Sequence, residues 1–276
     1  GISIEGELVA WNAINAGESV LAERGLPFPV DPLSVDELVH LDGFSFVPLP
    51  YAISNQDLRH VKVPSPVRTG FWRSVGNSQN AFFVESFLDE VAHAAGRDPL
   101  ELRKSLVGEL PRHLALLQKL EEFSSWGTPR VTGAFQGVAF SEAFGSLVAM
   151  VAELSVIEQS IVVHRVDCVV DCGMVIHPDN VVAQIEGGIY FGLGAALFNE
   201  ITFKDGRVEQ SNFDNYRMLK MKDAPQVFTH IMASNESPGG VGEVSVGPIA
   251  PAVANAIFSA TGKRLRKTPL LKELNK

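Results

Sequence analysis

The chain has 276 residues, of which 46% are hydrophobic and 20% charged, and its formal net charge is −9. This composition predicts a globular protein of one large or two ordinary domains, and the absence of an extended basic run argues against nucleic acid as a partner. No uninterrupted apolar stretch reaches the length of a membrane span. The two cysteines, Cys168 and Cys172, are too few for a disulfide framework or an iron–sulfur cluster, and their spacing predicts one core-facing side of a strand.

The first 66 residues predict an irregular, proline-rich segment. Prolines within 26–33 and 47–51 disfavour both helices and central strands, whereas 2–11 and 58–64 are typical of strands. The chain begins without a methionine and as if inside a strand. We therefore expect a piece of a longer protein, and any targeting signal, and with it the cellular location, would lie upstream.

Helices dominate the predicted structure from residue 79 to residue 125. Apolar residues at helical spacing follow the loop GFWRSVGNS (70–78), and Gly96 marks the end of that helix. Asp98 and Pro99 are typical of an N-cap and a first helical residue, so they open a second helix. A third helix runs from about 111 to 125. The turn residues that follow, at 126–133, predict a boundary between two domains, 1–126 and 127–276.

The second half mixes strands and helices without a regular βαβ rhythm. The predicted elements are strands within 137–157 and 161–173, helices over 177–198 and 248–262, and a hairpin over 199–210 that turns at Asp205-Gly206. We therefore predict an α+β fold with mixed sheets and packed helices. The loop at 70–78 and the loop at 238–248 each lead into a long helix that a glycine ends, so two related subdomains are one interpretation.

The loop PGGVGEVSVGP (238–248) places a single carboxylate, Glu243, among four glycines and two prolines. A glycine-rich loop that runs into a helix offers free N–H groups and the positive end of the helix dipole, so it favours anions. Its spacing matches neither a Walker A loop nor a dinucleotide-binding fingerprint. The carboxylate could act as a general base, or it could cap its own helix or lie in a solvated turn. The loop alone favours the structural role.

Three blocks in order along the chain resemble the molybdenum hydroxylases, the xanthine oxidase/aldehyde oxidase family. The blocks are GFWRSVGNS with the helix after it (70–103), VDCGMVIHPDN with QIEGG (170–208), and GGVGE with PIAPAVANAIF (239–270). The stretches WRSVG and QSNFDNYRML are most similar to large subunits of the isoquinoline 1-oxidoreductase type and related bacterial aldehyde dehydrogenases. The family's upstream GGFGG-type loops do not occur here. The resemblance therefore implies the C-terminal part of a molybdopterin-binding large subunit.

The resemblance assigns roles to residues around the glycine loop and the following family block. Glu243 matches the general base, which takes a proton from water at the molybdenum. Gln184 matches a side chain that contacts the molybdopterin, although an exposed amide or a tie to a neighbouring loop is the alternative. The residues that match the family's backbone segment beside the cofactor are Gly240, Val241 and Gly242. The cofactor's own dithiolene sulfurs would hold the metal, so no metal ligand is expected from the protein.

A second loop would lie beside the metal centre. Arg73, with Ser74 and Val75, matches the family's arginine-bearing loop. The alternative is a structural ion pair of Arg73 with Glu85 or Asp89. His177 stands where the family commonly has asparagine, and stabilising a turn is the role expected of it.

The resemblance also implies a cofactor, partners and an activity. The cofactor is molybdopterin with molybdenum, in its cytosine dinucleotide form. The partners are a small subunit with [2Fe–2S] clusters and the N-terminal remainder of the large subunit. The expected activity is hydroxylation of an N-heteroaromatic ring or oxidation of an aldehyde, with water as the oxygen source, and this part alone would be inactive. The alternatives are a non-catalytic assembly module and an unrelated anion-binding domain.

Overall fold

The computed structural model describes residues 1–18 and 49–276. The proline-rich stretch predicted at 26–33, and part of the one at 47–51, lies outside the described residues. The elements bear out the predicted α+β class, because helices pack on mixed sheets.

A four-stranded mixed sheet forms the centre of the molecule. Strands β3 (Phe135–Ala143), β4 (Ser146–Ile157) and β5 (Ser160–Asp171) run antiparallel, and β8 (Gln226–Ile231) lies parallel to β5. The segment predicted at 137–157 is thus a hairpin, with a left-handed turn at Phe144 (φ 53°) and Gly145 (φ 77°). Strand β8 was not predicted, because its six residues carry no clear alternation of apolar and polar side chains.

Two hydrophobic cores lie on opposite faces of this sheet. Strand β4 contributes to both, because successive side chains of a strand point to opposite faces. One core contains Val148, Met150, Ala152 and Leu154, and the other contains Leu147, Ala149 and Val151. Both cysteines are buried in the first core, as their spacing predicted.

The helices flank the sheet. They are α1 (Gly76–Ala94), α2 (Pro99–Leu106), α3 (Pro111–Ser124), α4 (Pro178–Leu197), α5 (Val246–Thr261) and the short α6 (Leu270–Leu274), with a 3-10 turn at Met221–Asp223. The five longer helices among the described residues were predicted, and Asp98 caps α2 by accepting hydrogen bonds from Leu100 N and Glu101 N. None of the helices in the described ranges is long and apolar enough to cross a membrane.

The N-terminal strands differ from the prediction. Strand β1 (Ala10–Gly17) pairs in parallel with β2 (Asn55–Lys62). The strand predicted over 2–11 is wrong for 2–9, because a turn at Gly6 (φ 81°) interrupts that part and leaves a bridge between Ile2 and Leu8; Ala10 and Trp11 begin β1. The predicted hairpin is confirmed as β6 (Phe203–Lys204) and β7 (Arg207–Val208).

Helix α5 lies close against β3. A Cβ atom added to Gly137 of β3 would be 2.2 Å from Ala256 N and 2.3 Å from Ala252 O, so only glycine permits this approach. Helix α1 packs against α5 in turn. The core on the α1–α3 side draws residues from both sides of the boundary at 126–133. The division into two domains stays a prediction.

Candidate functional site

Two loops and one helix meet at the predicted site. The loop before α5 carries Glu243, whose Oε1 accepts a hydrogen bond of 2.9 Å from the amide of Ser74, in the loop before α1. In the same loop Arg73 donates through Nε to Gly242 O at 2.7 Å and through Nη2 to Gln184 Oε1, on α4, at 3.2 Å. The structure therefore brings together residues that lie more than 160 positions apart in the chain.

The carboxylate of Glu243 does not cap its own helix. Helix α5 has Ser245 as its N-cap residue and no side-chain cap, and only the backbone carbonyl of Glu243 bonds to the helix, by accepting from Val246 N at 3.0 Å. The half-buried side chain instead bonds Ser74 in the other loop. One carboxylate oxygen is thus fixed, while Oε2 has no hydrogen bond to the described residues.

The structural alternative for Arg73 is wrong. Glu85, in α1, forms an ion pair with Arg103 at 2.8 Å, and Asp89 forms one with Arg264 at 2.6 Å. The half-buried guanidinium of Arg73 instead connects the Glu243 loop to Gln184.

Gln184 projects from an exposed face of α4 next to Arg73. Because its Oε1 accepts from the guanidinium, its Nε2 is left as a donor. His177 is the N-cap residue of the helix that carries Gln184, and its Nδ1 accepts from Asn180 N at 3.3 Å. This N-cap confirms the turn-stabilising role expected of His177.

The loop before α1 has an uncommon backbone. Ser74 (φ 79°) and Val75 (φ 47°) both lie in the left-handed region. A β-branched residue such as Val75 is a clear outlier there, and such conformations cost about 1–3 kcal/mol each. The hydroxyl of Ser78 donates to Val75 O at 2.7 Å and so helps to hold the turn. Strain of this kind concentrates at functional sites.

The glycine loop is anchored on the central sheet. Gly240 N donates to Phe144 O at 2.8 Å, and Gly239 N donates to Cys172 O at 2.9 Å. Val241 packs against the first core. Within residues 1–18 and 49–276, no group accepts a hydrogen bond from the amides of Val241, Gly242 or Glu243. These amides are available to a ligand, as expected of a glycine-rich loop before a helix.

An ion pair at the end of β5 stabilises the place where the glycine loop is attached to the sheet. Arg112 binds both carboxylate oxygens of Asp171, at 2.7 and 2.9 Å, and Asp171 Oδ1 also accepts from Gly173 N at 3.0 Å. Burial raises the pKa of Asp171, but the hydrogen bonds from Arg112 and from the Gly173 amide outweigh burial and leave this pKa below its usual value. The ion pair thereby fixes the end of β5. The next residue, Cys172, accepts the hydrogen bond from Gly239 N of the glycine loop.

This ion pair predicts how stability varies with pH. Folding lowers the pKa of Asp171. The ion pair's contribution to the free energy of unfolding is therefore fully present above the unfolded pKa of about 3.9, and it disappears as the pH falls through the pKa of the folded state. Asp171→Asn is therefore expected to reduce the free energy of unfolding at neutral pH, by an amount that shrinks in acid. Urea unfolding of both proteins at stepwise lower pH measures this. A difference that stays constant down to the acid limb would contradict it.

Aromatic side chains that sequence analysis missed border the site. Trp72, next to Arg73, lies 4.8 Å from Phe191 between ring centroids, and Arg73 Cζ lies 5.7 Å from the Phe191 ring. A cleft of about 260 Å³ opens beside Trp72 between α1, α4 and α5. Phe191 could have been found, because it lies two helical turns after Gln184 and so shares its face.

Several hydrogen-bond donors lie together at this site. The donors are the Arg73 guanidinium, the Gln184 amide and the loop N–H groups, and Glu243 is the carboxylate among them. No group of His, Cys, Asp and Glu side chains in the described ranges could hold a metal ion. The donors suit an oxygen-rich anionic ligand.

Known proteins share this chain's sequence features. A family model described as the molybdopterin cofactor-binding domain matches residues 90–225. The beta chain of isoquinoline 1-oxidoreductase from Brevundimonas diminuta is 34% identical over 205 residues, which are 72% of this chain and 26% of that protein. A nicotinate dehydrogenase subunit from Pseudomonas putida is 31% identical over 247 residues, 80% of this chain and 21% of that protein. The chain thus spans about a quarter of the length of these relatives.

Solved structures share the fold. Quinoline 2-oxidoreductase from Pseudomonas putida matches 96% of this chain and 59% of its own with a TM-score of 0.72 at 13% identity. The aldehyde oxidoreductase of Desulfovibrio desulfuricans matches 98% of this chain and 47% of its own with a TM-score of 0.70 at 14% identity. By its sequence matches, the chain belongs to the molybdenum hydroxylase family, and it matches the family's molybdopterin cofactor-binding domain over residues 90–225.

Proposed function

We propose that the chain forms the Glu243 side of the molybdenum site in the large subunit of an oxidoreductase, as its C-terminal part. The whole enzyme hydroxylates an N-heteroaromatic compound or oxidises an aldehyde, and water supplies the oxygen. One observation carries the proposal: the Glu243 carboxylate is held by Ser74 N at 2.9 Å, beside the donors of Arg73 and Gln184. Relatives named isoquinoline 1-oxidoreductase and nicotinate dehydrogenase support the N-heteroaromatic class.

The residues present fit molybdopterin. Its oxygen-rich pterin and phosphate need hydrogen-bond donors, and the amides of Val241 and Gly242 have no acceptor among the described residues. Gln184 Nε2 and the Arg73 guanidinium would contribute further donors. We propose the cytosine dinucleotide form as the cofactor. When bound, it supplies the two-electron oxidation, and its dithiolene sulfurs hold the metal.

Glu243 acts as the general base in this proposal. Because Ser74 N–H occupies Oε1, the free Oε2 accepts the proton that water releases when its oxygen is transferred. Arg73 fixes the neighbouring peptide through Gly242 O, so the carboxylate keeps its position during the proton transfer. The aromatic pair of Trp72 and Phe191 borders the same site and would shield it from bulk water.

The partners follow from the same proposal. Hydroxylation of a C–H bond by water releases two electrons and two protons, and the electrons need a path out of the site. A small subunit with [2Fe–2S] clusters would supply this path. The N-terminal remainder of the large subunit would close the cofactor site from the other side.

Isotope labelling of the complete enzyme, purified with its partner subunits, tests the function. With an artificial electron acceptor, isoquinoline or an aromatic aldehyde should yield a product that carries one ¹⁸O atom from H₂¹⁸O, and the protein should contain molybdenum and pterin. The reaction should continue without oxygen. Label that enters from ¹⁸O₂, or a complete enzyme that lacks molybdenum and oxidises neither class, would contradict the proposal and favour an assembly module.

A further inference from the structure

Three buried polar side chains form a chain from the sheet to the strained loop. Ser141 Oγ, on β3, donates to Asn77 Oδ1 at 2.9 Å. Asn77 Nδ2 donates to Ser74 Oγ at 3.2 Å. The three residues are 6%, 7% and 0% exposed respectively, so water does not compete for these bonds.

The amide of Asn77 suits this place because it donates and accepts at once. With Oδ1 accepting from the Ser141 hydroxyl, Nδ2 is left as the donor to Ser74 Oγ. The backbone N–H of Asn77 also donates to Ser74 O at 3.0 Å. Asn77 therefore holds Ser74 by both its hydroxyl and its carbonyl.

These bonds from Asn77 act on Ser74, whose backbone N–H binds Glu243. Ser74 and Val75 adopt left-handed conformations, which persist only where the surroundings enforce them. The N–H of Ser74, within that turn, donates to Glu243 Oε1 at 2.9 Å. If the turn relaxed, the N–H would move away from the carboxylate.

Asn77 also contacts the helix that follows Glu243. A Cβ atom added to Gly247, in the first turn of α5, would be 2.9 Å from both Asn77 Nδ2 and Asn77 O. Only glycine allows α5 to come this close. The Asn77 side chain thus contacts both the loop that contains Ser74 and α5, the helix that follows the Glu243 loop.

We infer that Asn77 is a positioning residue, which fixes the Glu243 carboxylate through Ser74 and is itself oriented by Ser141. The inference rests on the proposed function for its effect on catalysis. Its structural part, the position of the carboxylate, stands independently of that function.

Asn77→Leu in the complete enzyme tests the inference, with Asn255→Leu as the matched control. Asn255 is equally buried, at 1% exposed, and donates to Glu85 O and Val138 O, away from the site. In Asn77→Leu, a crystal structure should show the Ser74–Glu243 hydrogen bond broken. The turnover number kcat should fall about 10- to 100-fold, with KM and molybdenum content near wild type, because small misplacements of a catalytic group have effects of this size.

The control separates positioning from general destabilisation. Asn255→Leu should lower thermal stability yet keep the 2.9 Å contact and wild-type kcat. Ser141→Ala should weaken the Ser74–Glu243 contact and lower kcat in the same direction as Asn77→Leu, but by a smaller amount. It replaces Asn77→Leu as the test if that variant does not fold. An intact contact with unchanged kcat in both site variants would overturn the inference. If Glu243→Gln is also fully active, the proposed function fails, while the crystallographic contact still decides the role of Asn77.

Discussion

Replacing Glu243 by glutamine is expected to lower kcat of the complete enzyme by about 10²–10⁴-fold, the usual contribution of a general base. Glutamine keeps the size and one oxygen of the side chain, so it can still accept from Ser74 N. It cannot take up a proton at neutral pH. The fold, the molybdenum content and the binding of substrate should therefore remain near wild type. Steady-state kinetics with metal analysis of the same preparation measures this.

A glutamate in the segment that leads into the same loop provides the control. Glu236 is exposed, and its hydrogen bonds come from its backbone: the carbonyl accepts from Met174 N at 2.9 Å and the N–H donates to Ser234 Oγ at 3.4 Å. Glu236→Gln should keep wild-type turnover. A Glu243→Gln enzyme that retains both molybdenum and turnover would refute the base assignment.

Replacing Arg103 by methionine is expected to destabilise the protein by about 3–5 kcal/mol, because it leaves the Glu85 carboxylate buried without its cation. Glu85 Oε2 accepts from Arg103 Nε at 2.8 Å and from Phe140 N at 2.9 Å, and its Oε1 accepts from Tyr51 Oη at 2.6 Å. Arg103 and Glu85 are 0% and 1% exposed. Burial, and then the charge of Glu85, raise the pKa of Tyr51, so its hydroxyl stays a donor.

Two comparisons check the mechanism behind this loss. Arg59→Met removes an exposed ion pair with Asp57 and should change the unfolding midpoint little, because water screens such pairs. The double variant Glu85→Leu with Arg103→Met should lose less stability than Arg103→Met alone, because neither charge of this pair is then left buried without its partner. Denaturant unfolding of the four proteins gives these values. Equal losses in the single and double variants would contradict the account.

Sequence patterns predicted the helices because each carries local signals. Asp98-Pro99 opens α2, and Gly96 and Gly262 end α1 and α5 in left-handed conformations (φ 65° and 70°). Strand β8 lacks such a signal, and its place depends on pairing with β5 across more than 50 residues. Local signals therefore account for the helices, while strand pairing depends on contacts distant in sequence.

The candidate site shows the same difference between local sequence signals and contacts distant in sequence. The motifs singled out Glu243, Gln184 and Arg73, which the structure brings into contact. No pattern indicated the left-handed backbone at Val75, which a β-branched residue disfavours. Nor did any pattern connect Ser141 of β3 with Asn77 in the first turn of α1, because these two residues are 64 positions apart in the chain. Backbone strain and buried hydrogen bonds become visible only in three dimensions.

The most direct test is an experimental structure of the complete enzyme with its cofactor bound. In that structure Glu243 Oε2 should face the bound cofactor within hydrogen-bond reach, about 2.6–3.2 Å. Gln184 Nε2 should donate to the cofactor from the same side. A cofactor bound elsewhere on the protein, or a layer of protein between Glu243 and the metal, would contradict the account.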